Sequence, residues 1–200
     1  MDNLQIGTFG WQYESWKGDF YPDGMPEEWM LDYYSNGYRT VMVPQEDWLT
    51  WNEEQIEEIN DAVEGNFSFY FEVLNECDDV KLKQLQNIVG ELKERAAGVI
   101  VFTEKPVEDK SCLGLPITLV SKTQLINGWK WQIGDVVCSG AVCGVVPQLT
   151  EDAKEQTALL QSFVKALPDK ILGAPLFIKT NPISMKQVYN LKTISELLGY

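Results

Sequence analysis

Short apolar runs alternate with longer amphipathic segments along this chain, and the alternation predicts a repeated strand–helix order. Leu4 to Phe9 reads as a first strand. Glu27 to Asn36 reads as a helix ended by Gly37, and Arg39 to Val43 as a second strand with Thr-Val-Met-Val at its centre. From Asn52 to Val63 the apolar positions Ile56, Ile59 and Val63 are spaced by three and four, one face of a helix, with Asn52 placed to cap it. Phe67, Phe69 and Phe71 alternate along a third strand, Phe67 to Val73. Val80, Leu82, Leu85, Ile88, Val89 and Leu92 give Asp79 to Ala96 the clearest helical face. Gly98 to Phe102 and Pro116 to Ser121 read as buried strands. Trp129 to Val146 reads as one or two strands, with Ser139-Gly140 as the hairpin tip. Thr150 to Leu167 follows as a helix with Thr150 as its cap and Phe163 among its inward residues. Leu176 to Ile178 is the last strand, and a helix running to Leu198 closes the chain.

Repeated βα units predict a parallel sheet, open or closed. The first loop carries the most specific pattern. Ile6-Gly7-Thr8-Phe9-Gly10-Trp11 leads into Trp16-Lys17-Gly18-Asp19-Phe20-Tyr21-Pro22, and then into a helix with Glu28-Trp29 followed by Tyr33-Tyr34. A connection so rich in Trp and Tyr is either packed as a lid or used to bind something. Over about the first forty residues this pattern resembles the DUF72 family, also called YecE-like proteins. In that family a G-T-S-G-W strand end precedes W-x-G-x-F-Y-P and an E-W-L-x-x-Y helix; here Phe9 stands at the usual Ser. Leu176 to Pro182 and the helix after it resemble the family's closing strand, Asn-bearing loop and final helix.

The resemblance implies a TIM-type (β/α) barrel. Such a barrel takes about 250 residues, and this chain has 200. Gly98 to Val146 must then hold about three strands with little room for helices between them. The expectation is a single domain over residues 1–200, a shortened barrel with reduced helices in its second half. An open parallel α/β sheet is the alternative.

Charge and cysteine content narrow the function. Lys and Arg number 16 against 30 Asp and Glu, a net charge of −14. That balance argues against a nucleic-acid partner or an anionic membrane surface. No apolar run approaches a membrane span, and Asp2-Asn3 does not start a secretory leader, so a cytoplasmic protein is expected. Histidine is absent, which removes the usual general base and the Ser-His and Cys-His pairs. Cys77, Cys112, Cys138 and Cys143 form no C-x-x-C pair and do not read as a zinc site. Cys138 and Cys143 fit as small core hydrophobes.

In parallel α/β folds ligands sit at the C-terminal ends of the strands. That rule selects Glu46, Asp47, Glu72 and Glu104 as carboxylates for acid–base work or for holding Mg²⁺ or Mn²⁺. It selects Trp11, Tyr13 and Trp48 as stacking surfaces, and Lys105, Lys179 and Asn181 as polar ligands. No dinucleotide or phosphate-loop motif accompanies them. Against the resembled family the mouth has changed. Met42 and Pro44 stand where Glu and Asn are usual, and Glu72 stands at a lysine position. The resulting expectation is a binding or interaction protein without cofactor that has lost the family's polar site. It would recognise a small molecule or a protein, with a second copy of the chain as the simplest cover for any wall lacking helices. The alternative is a carboxylate-based hydrolase or lyase, with or without a divalent metal, acting on a sugar-like substrate.

Overall fold

The structure, a computed structural model, describes residues 4–75, 78–107, 112–169 and 171–200. Its strands are β1 (Leu4–Phe9), β2 (Thr40–Val43), β3 (Ser68–Leu74), β4 (Ala96–Phe102), β5 (Ile117–Ser121), β6 (Trp129–Ile133), β7 (Val136–Gly140), β8 (Gly144–Val146) and β9 (Ala174–Ile178). Its helices are α1 (Glu27–Gly37), α2 (Gln45–Trp48), α3 (Glu53–Asp61), α4 (Asp79–Leu92), α5 (Ala153–Ala166) and α6 (Met185–Leu197). The strands form one sheet in the order β6-β7-β5-β4-β3-β2-β1-β9-β8. From β5 to β8 all neighbours are parallel, while β7 runs antiparallel to both β5 and β6. The sheet curls into a nearly closed barrel of TIM-like form.

The local reasons for these elements lie in the sequence. Asn52 and Gln55 build a reciprocal capping box at the start of α3, each side chain accepting from the other's backbone N–H at 2.8 and 3.0 Å. Val41, Met42 and Val43 of β2 are all fully buried, as expected of a strand covered on both faces.

The shortened second half takes a form the periodicity does not show. No helix lies between β4 and β8 among the described residues. Five strands occupy Ala96 to Val146, against the three expected. The hairpin tip is Gly134-Asp135, joining Ile133 of β6 to Val136 of β7, and not Ser139-Gly140, which lies inside β7. Gly134 supplies the left-handed φ of +59° that such a tight turn needs. The cap of α5 is Asp152, whose carboxylate accepts from the N–H groups of Lys154 and Glu155. Thr150 acts one step earlier, accepting from the N–H of Asp152 at 2.9 Å. Cys112, Cys138 and Cys143 are buried, and burial pushes the Cys138 thiol up to about 11. Cys77 lies outside the described residues.

Edges β6 and β8 do not pair, so the seam between them must be filled. Helix α5 fills it. The Phe163 ring meets Trp129 and Trp131 of β6 edge-on, at 5.7 and 4.9 Å between centroids. The same ring lies so close to β8 that a Cβ on Gly144 would fall 2.6 Å from it. Trp129 Nε1 donates to the Ala166 carbonyl at 2.7 Å and Trp131 Nε1 to Ser162 Oγ at 3.2 Å. One aromatic ring thus joins both free edges. Phe163→Ala is expected to lower unfolding free energy by about 3–5 kcal/mol, measured by urea denaturation. A loss below about 1 kcal/mol would mean that the seam closes without it.

Candidate functional site

The aromatic first loop is mostly interior. Tyr34 accepts from the Thr8 N–H at 3.1 Å and donates to the Thr40 carbonyl at 3.0 Å, tying β1, α1 and β2 together. Tyr21 Oη donates to the Trp11 carbonyl at 2.6 Å. Trp16 Nε1 donates to the Ile183 carbonyl at 2.9 Å, fastening the first loop to the last one. Gly10, at φ +73°, turns the chain out of β1 while its N–H still bonds Met42 of β2. The loop is therefore a packed latch over the barrel end.

Beside it lies a polar cluster built from the C-terminal ends of four strands and α2. Glu72, near the end of β3, is 6% exposed at its side chain. Its Oε1 accepts from Lys179 Nζ at 2.6 Å and its Oε2 from the Gln45 N–H at 3.0 Å. Its own carbonyl accepts from Trp48 Nε1 at 2.8 Å. Lys179 follows β9, and its ammonium sits 3.2 Å from the Phe9 ring centre and 4.9 Å from that of Phe102. Burial pulls the Lys179 pKa down, opposed by the hydrogen bond and charge of Glu72 and by Glu46.

Two further groups feel this charge. Burial, with Glu46 and Glu72 adding repulsion, raises the Asp47 carboxyl to about 6. Burial, with Asp47, Glu46 and Glu72 adding repulsion, raises Tyr13 to about 12, and its hydroxyl donates to the Phe9 carbonyl. The structure thus brings together Tyr13, Glu46, Asp47, Glu72 and Lys179.

Other expected site residues are placed differently. Trp48 is wholly buried, its ring edge-on to Phe71 at 6.4 Å, so it is core and offers no face to a ligand. Trp11 is 5% exposed and packs against Trp51 away from this cluster's bonds. Glu104 belongs to a separate arrangement. Its carboxylate accepts from Ser121 Oγ, Thr123 Oγ1 and the N–H groups of Lys122 and Thr123. Those bonds hold it down to about 2, where it pins the β5–β6 loop as a permanent anion. Lys105 is exposed on a cleft of about 520 Å³ beside Glu104, and Asn181 is exposed ahead of Pro182. Among the described residues no three Asp, Glu or Cys side chains form a metal-ligand group.

The one-turn helix α2 escapes sequence reading because four residues carry no periodicity. A signal was nonetheless present. Pro44 precedes Gln45-Glu46-Asp47, proline and acids at a helix start.

A family profile described as "Protein of unknown function DUF72" matches residues 5–106, just over half of the chain. The chain belongs to the DUF72 family. A crystal structure of a DUF72 family protein from Thermotoga maritima matches with a TM-score of 0.50 and 11% identity, over 98% of this chain and 99% of that one. At that identity the likeness concerns the fold. No curated protein matches the chain. In this DUF72 member Met42 is fully buried in β2 and Pro44 opens α2, so neither presents a polar group at the mouth. Glu72, where the resemblance leads one to expect lysine, receives its counter-charge from Lys179.

The raised Asp47 carboxyl has a pH consequence. Its folded value of about 6 lies above the ordinary 3.8, so the native state holds that proton more tightly than the unfolded chain. The contribution is fully present below the ordinary value and is lost as pH rises through about 6. Asp47→Asn removes this term. Relative to the variant, the parent protein is expected to lose melting temperature between about pH 4 and pH 6, read by thermal melts across that range. Parallel curves would contradict the assignment.

Proposed function

We propose that this DUF72 barrel is a binding or interaction protein that lacks the family's usual polar site and whose mouth does not carry out carboxylate-catalysed hydrolysis. The observation that supports this most is the engagement of Glu72. Both of its oxygens are held, one by Lys179 and one by the Gln45 N–H. A carboxylate so fixed makes a poor proton carrier, since each proton transfer would break a charge-assisted bond. Glu104, the expected second member of an acid–base pair, is anchored to the β5–β6 loop by four donors, two hydroxyls and two backbone N–H groups. The ligand class that fits is a small polar molecule or a partner segment that reaches Asp47, Glu46 and the Lys179–Glu72 pair without needing turnover.

One observation favours the hydrolase or lyase reading. Asp47 is half-buried with a carboxyl raised to about 6, the value a general acid needs near neutral pH. Mg²⁺ or Mn²⁺ would enter that reading through Glu46 and Asp47 as oxygen donors.

A thermal-shift series on metal-stripped protein separates the two. The probes are Mg²⁺, Mn²⁺, Ca²⁺, simple sugars and phosphorylated metabolites. A ligand of the folded state stabilises it by mass action, by about 2.7 kcal/mol at a hundred times its Kd, and so raises the melting point. The binding reading expects no shift with the divalent ions and no product from any organic probe that does shift. Product formation that Asp47→Asn abolishes would overturn it in favour of the enzyme.

A further inference from the structure

Away from the mouth, the groove between α1 and α3 opens into a cleft of about 450 Å³. Its inner wall is apolar, made by Trp11, Trp51, Leu31 and Ile59. The two indoles stand 6.2 Å apart between centroids and are tilted by 53°, forming a corner. Trp51 is half-buried, so it keeps ring surface toward the cleft. The rim carries Glu27 and Glu28 of α1 with Glu58 and Asp61 of α3, and no Lys or Arg lines it.

The placement of the rim charges is informative. Glu27 and Glu28 lie in the first turn of α1, where the helix dipole favours them. Glu58 and Asp61 lie in the last turns of α3, which carry no basic residue. There the dipole disfavours anions, and the helix end adds its own negative partial charge. Arg95 reaches that end of α3 only at Asn60 and does not line the cleft. None of the four rim carboxylates has an ion-pair partner among the described residues. The cation that Glu27 influences is Lys17, which is held by Glu14.

We infer that this cleft binds a small alkylammonium cation. A methylated ammonium places its apolar methyl groups against the exposed part of the Trp51 indole, which the buried Trp11 backs, and its charge among the carboxylates and the α3 terminus. Aromatic rings attract such a cation through their negative faces as well as through apolar contact. A metal ion would find no use for the indole corner, and a neutral ligand no use for four uncompensated carboxylates. The protein's overall charge of −14 also steers cations toward it.

Choline chloride titrated into the protein, followed by tryptophan fluorescence and calorimetry, tests this against 3,3-dimethylbutan-1-ol, the uncharged molecule of the same shape. Saturable choline binding about tenfold or more tighter than that of the alcohol is expected. Trp51→Leu, which keeps apolar volume but removes the indole, should weaken it severalfold. The double variant Glu58→Gln with Asp61→Asn changes only exposed rim groups and should weaken it to a similar degree. The double variant alone decides the matter if Trp51→Leu does not fold. No saturable choline binding, equal binding of the alcohol, or binding unchanged in the rim variant would each overturn the inference.

Discussion

The ion pair between Glu72 and Lys179 is the contact on which the polar end of this barrel depends. A carboxylate at the end of β3 is taken almost wholly out of water, which costs several kcal/mol unless every lone pair finds a donor. Lys179 arrives from β9, which lies three strands away in the sheet. Gln45 supplies a backbone N–H and thereby fixes the start of α2. The Gln45 side chain in turn accepts from the Leu74 N–H, and Trp48 bonds the Glu72 carbonyl. One buried charge thus orders α2, the end of β3 and the end of β9 together. The same arrangement places Phe9 and Phe102 against the lysine ammonium, so that its charge is compensated on several sides.

Fixing the mouth in this way has consequences for chemistry. Charge at the site is concentrated in Glu46, Asp47 and Glu72, with Lys179 committed to the last of these. Asp47, its carboxyl raised to about 6, can exchange a proton near neutral pH. Elsewhere the aromatic residues that mark the family do structural work: Tyr21, Tyr34 and Trp16 close hydrogen bonds between the first loop, the second strand and the last loop. These aromatic residues therefore sit where the barrel must be latched. No helix among the described residues is long and apolar enough to cross a membrane.

Much of the first half was legible because its elements are long and periodic. The α3 face of Ile56 and Ile59, its Asn52 cap and the α4 stripe each followed from spacing alone. The second half was less legible because a hairpin replaces βα units. Apolar runs such as Val136 to Cys138 do not reveal their direction or register, and the turn at Gly134-Asp135 competes in sequence with Ser139-Gly140. Strand-end position singled out Glu72 and Lys179, but sequence cannot show that they meet across 107 residues. It also made Trp48 and Glu104 appear available. Trp48 became core because its indole N–H found a buried carbonyl, and Glu104 became an anchor because the loop after β5 turns four donors toward it.

A double-mutant cycle on the ion pair tests the account most directly. Unfolding free energies would be measured in urea for Glu72→Gln, Lys179→Met and the double variant. Lys179→Met alone strands a buried carboxylate and is expected to cost about 3 kcal/mol. The double variant should cost less than the sum of the singles by more than about 1 kcal/mol, since it removes the charge together with its partner. Additive losses would show that the two groups do not support one another, and the mouth would then lack the constraint from which the rest of its order follows.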